Sequence, residues 1–156
     1  MDQNQANNLR ILADHMAGLA RQLNMNCIHS CGTPACAIGE AACLPAFQAQ
    51  GLSLDQGHPN RVKMNDVQEW YAPVAFILFG LDRDRADWLF GTSVENAWRR
   101  QAVTGPEWSA KAREILAAHG YGPQSSEDWA KDKVAYVINS QDALIGTDKR
   151  DLLVTK

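Results

Sequence analysis

The sequence predicts an all-α fold, a compact bundle of five to seven helices, some of them short, around a central helix of small residues. Apolar side chains recur at steps of three and four residues along several segments, which is the spacing of one helix face. Helix-start signatures and glycine stops bound these segments. No segment alternates apolar and polar residues over a convincing strand length, and the nearest candidate is Val134 to Ile138.

Two helices are predicted in the first third of the chain. The first runs from about Gln5 to Leu23, where leucines and a methionine share one face. The second is the small-residue helix, with Thr33 as its cap and Pro34 as its first helical residue. It ends at about Leu44, because the proline that follows disfavours a further turn.

An apolar helix is predicted in the middle of the chain. Residues 48–63 are rich in glycine and polar residues and are interpreted as a loop. Pro73 then opens the run VAFILF, and Phe76, Ile77 and Phe79 indicate a central, buried helix.

The predicted domain organisation is a helical core followed by an extension. Asp82 caps a short helix, and Thr104 starts a closing helix that ends near His119. Residues 1–120 are therefore predicted to form the core domain, with 121–156 as a helical extension packed on it or linked to it.

Composition restricts the function classes. The chain has 156 residues, enough for one buried core, and a net charge of −3, which disfavours direct nucleic-acid binding. The polar N-terminus does not resemble a signal peptide, and no apolar run approaches the length of a membrane helix. We therefore expect a cytoplasmic protein whose four cysteines are reduced thiols.

A cysteine-rich stretch, residues 27–43, offers the main chemical alternative. Cys27, His29, Cys31 and Cys36 are soft ligands that suit zinc, although the spacing lacks the usual C-x2-C pair. Cys43 lies nearly two helical turns beyond Cys36 and fits a shared ion poorly. A Cys31–Cys36 disulfide and a set of buried thiols remain open as alternatives.

The same stretch could instead carry a nucleophile. Cys36 falls near a predicted helix N-terminus, where the helix dipole lowers a thiol pKa, and His29 is close in sequence. No further signature joins them into a coherent catalytic set. The alternative interpretation is thus a small enzyme or a ligand-binding or zinc-binding protein, and the balance favours a protein that is not an enzyme, without a cofactor.

Tryptophan and arginine indicate an interaction surface. The chain has five tryptophans, a high count, and Trp and Arg are favoured interface anchors. Trp98 with Arg99 and Arg100 forms one candidate cluster, and Trp129 in the extension is another candidate.

Three segments, CGTPACAIGEA, FGLDRDRADWLFG and TGPEWSAKAREIL, resemble a loosely defined group of small uncharacterised bacterial and phage proteins. The chain differs from that group by an inserted Gly105 and by the longer part 121–156. The resemblance implies a helical fold and an association with phages or mobile elements, and it brings no catalytic residues. The matching positions are Cys31, Gly32, Thr33, Cys36, Gly39, Ala41, Gly80, Leu81, Leu89, Phe90, Thr104, Pro106 and Glu107.

The sequence therefore predicts a non-enzymatic protein-interaction module. The hypothesis is a phage or mobile-element accessory protein that binds and inhibits a host protein or complex, such as a defence or nucleic-acid-processing complex. Self-association into a homodimer through exposed tryptophans is a further expectation.

Overall fold

The computed structural model describes residues 1–25, 27–30, 33–90 and 103–122. Over these residues the fold is mixed α/β, with six helices and three small antiparallel sheets. The all-α prediction is therefore wrong. Residues 1–122 belong to one compact unit, whereas most of the predicted extension 121–156 lies outside the described residues.

The elements alternate along the chain. The helices are α1 (Gln3–Ala17), α2 (Ala37–Cys43), α3 (Pro45–Gln48), α4 (Tyr71–Phe79), α5 (Arg83–Phe90) and α6 (Gly105–Ala118). The strands are β1 (Gln22–Leu23), β2 (His29–Ser30), β3 (Thr33–Pro34), β4 (Leu52–Leu54), β5 (Val62–Met64), β6 (Val67–Glu69) and β7 (Val103–Thr104).

A three-stranded meander, in the order β4–β5–β6, occupies most of the segment that was predicted to be a loop. Leu52 pairs with Met64 and Met64 with Val67, so the strands are antiparallel neighbours. Asn65 and Asp66 turn the second hairpin with φ values of 50° and 66°, a conformation that tight hairpins favour and that Asn and Asp tolerate. Strands of three residues are too short to show alternation, which is why the pattern missed them.

Two further strand pairs change the predicted helix ends. Thr33 and Pro34 pair with β2 instead of opening the small-residue helix, which begins at Ala37 after Cys36 as its N-cap. In the same way α1 ends at Ala17, and the residues up to Leu23 lead into β1, which pairs with β7. A tight hairpin with the neighbouring residues His29 and Ser30 prevails over the helix signal at Thr33, and pairing with the distant strand β7 prevails over the helix signal at the end of α1.

The core joins the helices through a row of aromatic rings. Phe47, Phe79, Phe90 and Trp108 follow one another at centroid distances of 5.6, 5.5 and 5.5 Å. The Trp108 indole N–H donates to the Leu89 carbonyl at 2.8 Å, so the buried ring keeps a polar partner. This row connects α3, α4, α5 and α6.

The small-residue helix α2 is buried from Ala37 to Ala42. At Gly39 a Cβ would lie 2.0 Å from the backbone oxygen of Ile28. Only glycine therefore allows α2 to approach the β2 segment this closely.

Candidate functional site

The predicted metal cluster is only partly described. Cys36 is buried, Cys27 is half-buried and Cys31 lies outside the described residues. His29 is buried, and its Nε2 lies 2.7 Å from the carbonyl oxygen of Asp55, so Nε2 carries the hydrogen and donates it. Within the described part of the chain, no group of three or more His, Cys, Asp or Glu side chains is placed to hold a metal ion.

Cys36 is the best placed of these residues to test the nucleophile hypothesis. Burial raises the pKa of its thiol to about 11, although the backbone N–H groups of Gly39 and Ile38 lower it. Desolvation thus outweighs the favourable helix N-terminus. The thiol lies 4.0 Å from the Ile28 carbonyl oxygen, a weak hydrogen bond. A thiol that stays protonated at neutral pH is a poor nucleophile.

A second polar cluster, which the sequence did not reveal, surrounds Glu40. This carboxylate is 7% exposed; His15 Nε2 lies 2.8 Å from one oxygen, and the Arg21 guanidinium contacts the other. Arg21 also donates to the Pro34 carbonyl oxygen at 2.9 Å. Both carboxylate oxygens are occupied, and the contacts connect α1, α2 and β3. The cluster is best explained as a structural connection.

The predicted interaction residues Trp98, Arg99, Arg100 and Trp129 lie outside the described residues. Within the described part, the large apolar side chains that are most exposed lie elsewhere. Phe76 is 66% exposed, Val67 59%, Trp70 53% and Ile77 50%. Tryptophan count had pointed to an interface, but it could not select Trp70 from the five.

The exposed face of α4 is the main correction to the predicted helices. Phe76 and Ile77 were predicted to be buried, and both point to solvent. The opposite face, with Val74, Ala75, Leu78 and Phe79, is the buried one. A helix that is apolar all round carries no periodicity that could distinguish its two faces.

We call Trp70, Pro73, Phe76 and Ile77 the α4 surface. Pro73, Phe76 and Ile77 are three and four residues apart and so share one helix face. Trp70, Pro73 and Phe76 also line an open cleft of about 470 Å³ between α4 and the start of α5. The remaining lining residues are Tyr71, Ala72, Leu81, Arg83 and Asp87.

Three of the side chains that line this cleft carry polar groups, those of Tyr71, Arg83 and Asp87. The Tyr71 hydroxyl donates to Asp87 Oδ1 at 2.7 Å, and burial together with this bond raises the Tyr71 pKa to about 12, so the phenol stays neutral. Arg83 Nε lies 3.8 Å from Asp87 Oδ2. The Arg61 guanidinium lies over the Trp70 ring, 4.7 Å from its centroid. The cleft thus combines a mostly apolar lining with a few polar groups held by defined partners, a combination that is common in binding sites.

Comparisons with protein-family models, with curated proteins and with solved structures found no match to this chain. Across the described residues, none of the helices has both the length and the apolar character needed to span a bilayer.

Proposed function

We propose that the protein is a non-enzymatic interaction module that binds a partner protein through the α4 surface and the adjoining cleft, and inhibits that partner by covering it. The observation that carries the proposal is the exposure of Phe76 (66%) and Ile77 (50%) beside Trp70 (53%). Contiguous apolar exposure of this kind marks interaction sites, and aromatic anchors contribute most to interface affinity.

The proposed partner is a host protein, and the protein itself a phage or mobile-element accessory protein of the cytoplasm. The resemblance of its three sequence segments to small bacterial and phage proteins supports this origin. The thiols of Cys27, Cys36 and Cys43 are free, which is typical of a reducing compartment. The net charge of −3 favours a protein partner over direct contact with nucleic acid.

The buried state of Cys36 also supports a non-enzymatic role. Its pKa of about 11 leaves the thiol protonated under ordinary conditions. Of the alternative set Cys27, His29, Cys31 and Cys36, the three described members are not placed to hold a metal ion together, and Cys31 lies outside the described residues.

Photo-crosslinking from the α4 surface tests the proposal. Benzoylphenylalanine replaces Phe76 in the full chain, and the protein is irradiated in an extract of host cells. We expect one prominent crosslinked protein, identified by mass spectrometry, and suppression of the crosslink by excess wild type but not by a Phe76→Ser, Ile77→Ser double variant. The same probe at Trp88, which is also partly exposed (36%), is the matched control. Equal crosslinks from both positions, or none from position 76, contradict the proposal.

A further inference from the structure

We infer that the α4 surface recognises an acidic protein segment, one in which a large apolar side chain is flanked by carboxylates. The inference rests on the proposed function and names the chemistry of the partner. The apolar side chain fits the cleft, whose lining is mostly apolar between Trp70, Phe76 and Leu81. The carboxylates fit two arginines, Arg83, which lines the cleft, and Arg61, which lies over the Trp70 ring.

The first arginine, Arg61, belongs to the Trp70 side. Its guanidinium lies 4.7 Å from the Trp70 centroid, and its Nη1 donates to Gln68 Oε1 at 3.2 Å. Both of these partners are neutral, so the positive charge remains available to an incoming carboxylate. Stacking on the ring also orders the guanidinium, which lowers the entropy cost of using it in a bidentate pair.

The second arginine, Arg83, belongs to the α5 side. Its side chain is 88% exposed, and Asp87 is its ion-pair partner at 3.8 Å. Asp87 is itself the acceptor of the Tyr71 hydroxyl and is only 33% exposed, so the acid sits deeper than the cation. An approaching segment therefore meets Arg83 before Asp87, although the whole chain is acidic.

Charge also favours this occupant over a second copy of the chain. A two-fold dimer is isologous, so it would bring two copies of the Arg61 and Arg83 pair into one interface. Like charges in an interface oppose association. An acidic segment instead pairs with both arginines and leaves the apolar anchor to fill the cleft.

Selection from a display library of random peptides tests the inference on the full chain. Selection runs in parallel on wild type, on the double charge reversal Arg61→Glu, Arg83→Glu, and on Phe76→Ser. We expect wild type to enrich peptides with an aromatic or leucine flanked by Asp and Glu, and the charge reversal to enrich peptides with Lys and Arg at the flanks. Lys111→Glu is the matched control, because Lys111 also lies over a tryptophan, 4.9 Å from the Trp88 centroid, and it should select the same peptides as wild type.

Binding of one selected peptide measures how much the two arginines contribute to its affinity. By fluorescence anisotropy we expect about tenfold weaker binding to the charge reversal, since two exposed ion pairs are lost, and a decrease in affinity with added salt. Arg83→Gln adds no negative charge beside Asp87, and we expect it to weaken peptide binding by less than the double reversal. It keeps the test valid if the double reversal misfolds, and circular dichroism checks the fold of both variants.

The outcomes separate the two proposals. Peptides that depend on Phe76 but show no acidic preference overturn the inference and leave the interaction surface intact. Enrichment of peptides with basic flanks on wild type overturns it as well. Peptides that bind Phe76→Ser as well as wild type contradict the α4 surface itself, and then both proposals fail. Self-association of wild type that Phe76→Ser abolishes, with no acidic peptide enriched, replaces the inference by a dimer.

Discussion

Two helices of this protein, α2 and α4, differ in how their burial relates to their composition. α2 is made of small residues and contains Glu40, yet it is buried over Ala37–Ala42. α4 consists of nine apolar residues, yet it exposes Phe76 and Ile77. The difference shows that close packing, through Gly39, and charge pairing, through Glu40, can bury a modest helix. An apolar composition, by contrast, does not ensure burial, since half or more of Phe76 and Ile77 is exposed.

The two faces of α4 offer the largest contrast. Phe79 is fully buried between the Phe47 and Phe90 rings, so Phe79→Ala should lower the free energy of unfolding by about 3–5 kcal/mol. Phe76→Ala should change it by no more than about 0.5 kcal/mol, because its ring is largely in water already. Urea unfolding of both variants measures this. Comparable losses would mean that Phe76 is buried and that the comparison is wrong.

Close approach of α2 is tested at Gly39. The added methyl of Gly39→Ala would lie 2.0 Å from the Ile28 oxygen, a backbone atom that cannot move aside cheaply. We expect a loss of about 2–3 kcal/mol, despite the better helix propensity of alanine. Gly122→Ala is the control, since nothing lies within 4 Å of its Cβ position. If denaturant midpoints of the two variants coincide, α2 is not packed as tightly as described.

Charge pairing of α2 is tested at Glu40. Glu40→Ala removes the partner of His15 and Arg21, and we expect a loss of about 1–2 kcal/mol, since both partners regain some water. Glu114→Ala removes an exposed pair with Lys111 and should cost under about 0.5 kcal/mol. The thermal midpoints of the two variants measure the difference. An unchanged midpoint for Glu40→Ala would show that the carboxylate does not hold α2 in place.

Parts of this fold were accessible from the sequence, and the reasons are local. The closing helix α6 begins after Thr104, as predicted. Thr104 and Glu107 form a reciprocal capping box, and both residues of this motif lie within four consecutive positions of the sequence. Asp82 accepts the backbone N–H of Arg85 at the start of α5, again as its cap. Each signal depends only on neighbours along the chain.

The parts that the sequence concealed depend on distant partners. Pairing of β1 with β7 joins Leu23 to Val103, and no local pattern announces it. The exposed face of α4 could not be predicted for a different reason. All residues of this helix are apolar, so its sequence has no polar stripe that marks the face in contact with solvent. The candidate cleft is lined by residues between Trp70 and Asp87, which are close in sequence, but which of their side chains face it depends on how α4 and α5 pack.

The start of α2 provides the smallest test, through the Cys36 thiol. Its pKa is raised from 9.0 to about 11 by burial, so the folded state favours the protonated form. Below about pH 9 the thiol is protonated whether the chain is folded or unfolded, and its contribution to stability is complete. As pH rises from 9 towards 11 the unfolded thiol ionises first, so stability falls, by about 1 kcal/mol between pH 8 and 10. The free energy of unfolding is measured against pH for wild type and for Cys36→Ala. The difference between the two slopes is the contribution of the thiol, because lysines and tyrosines that titrate in the same pH range contribute to both. Equal slopes, or rapid labelling of Cys36 in the folded protein at pH 8, would show that water reaches the start of α2.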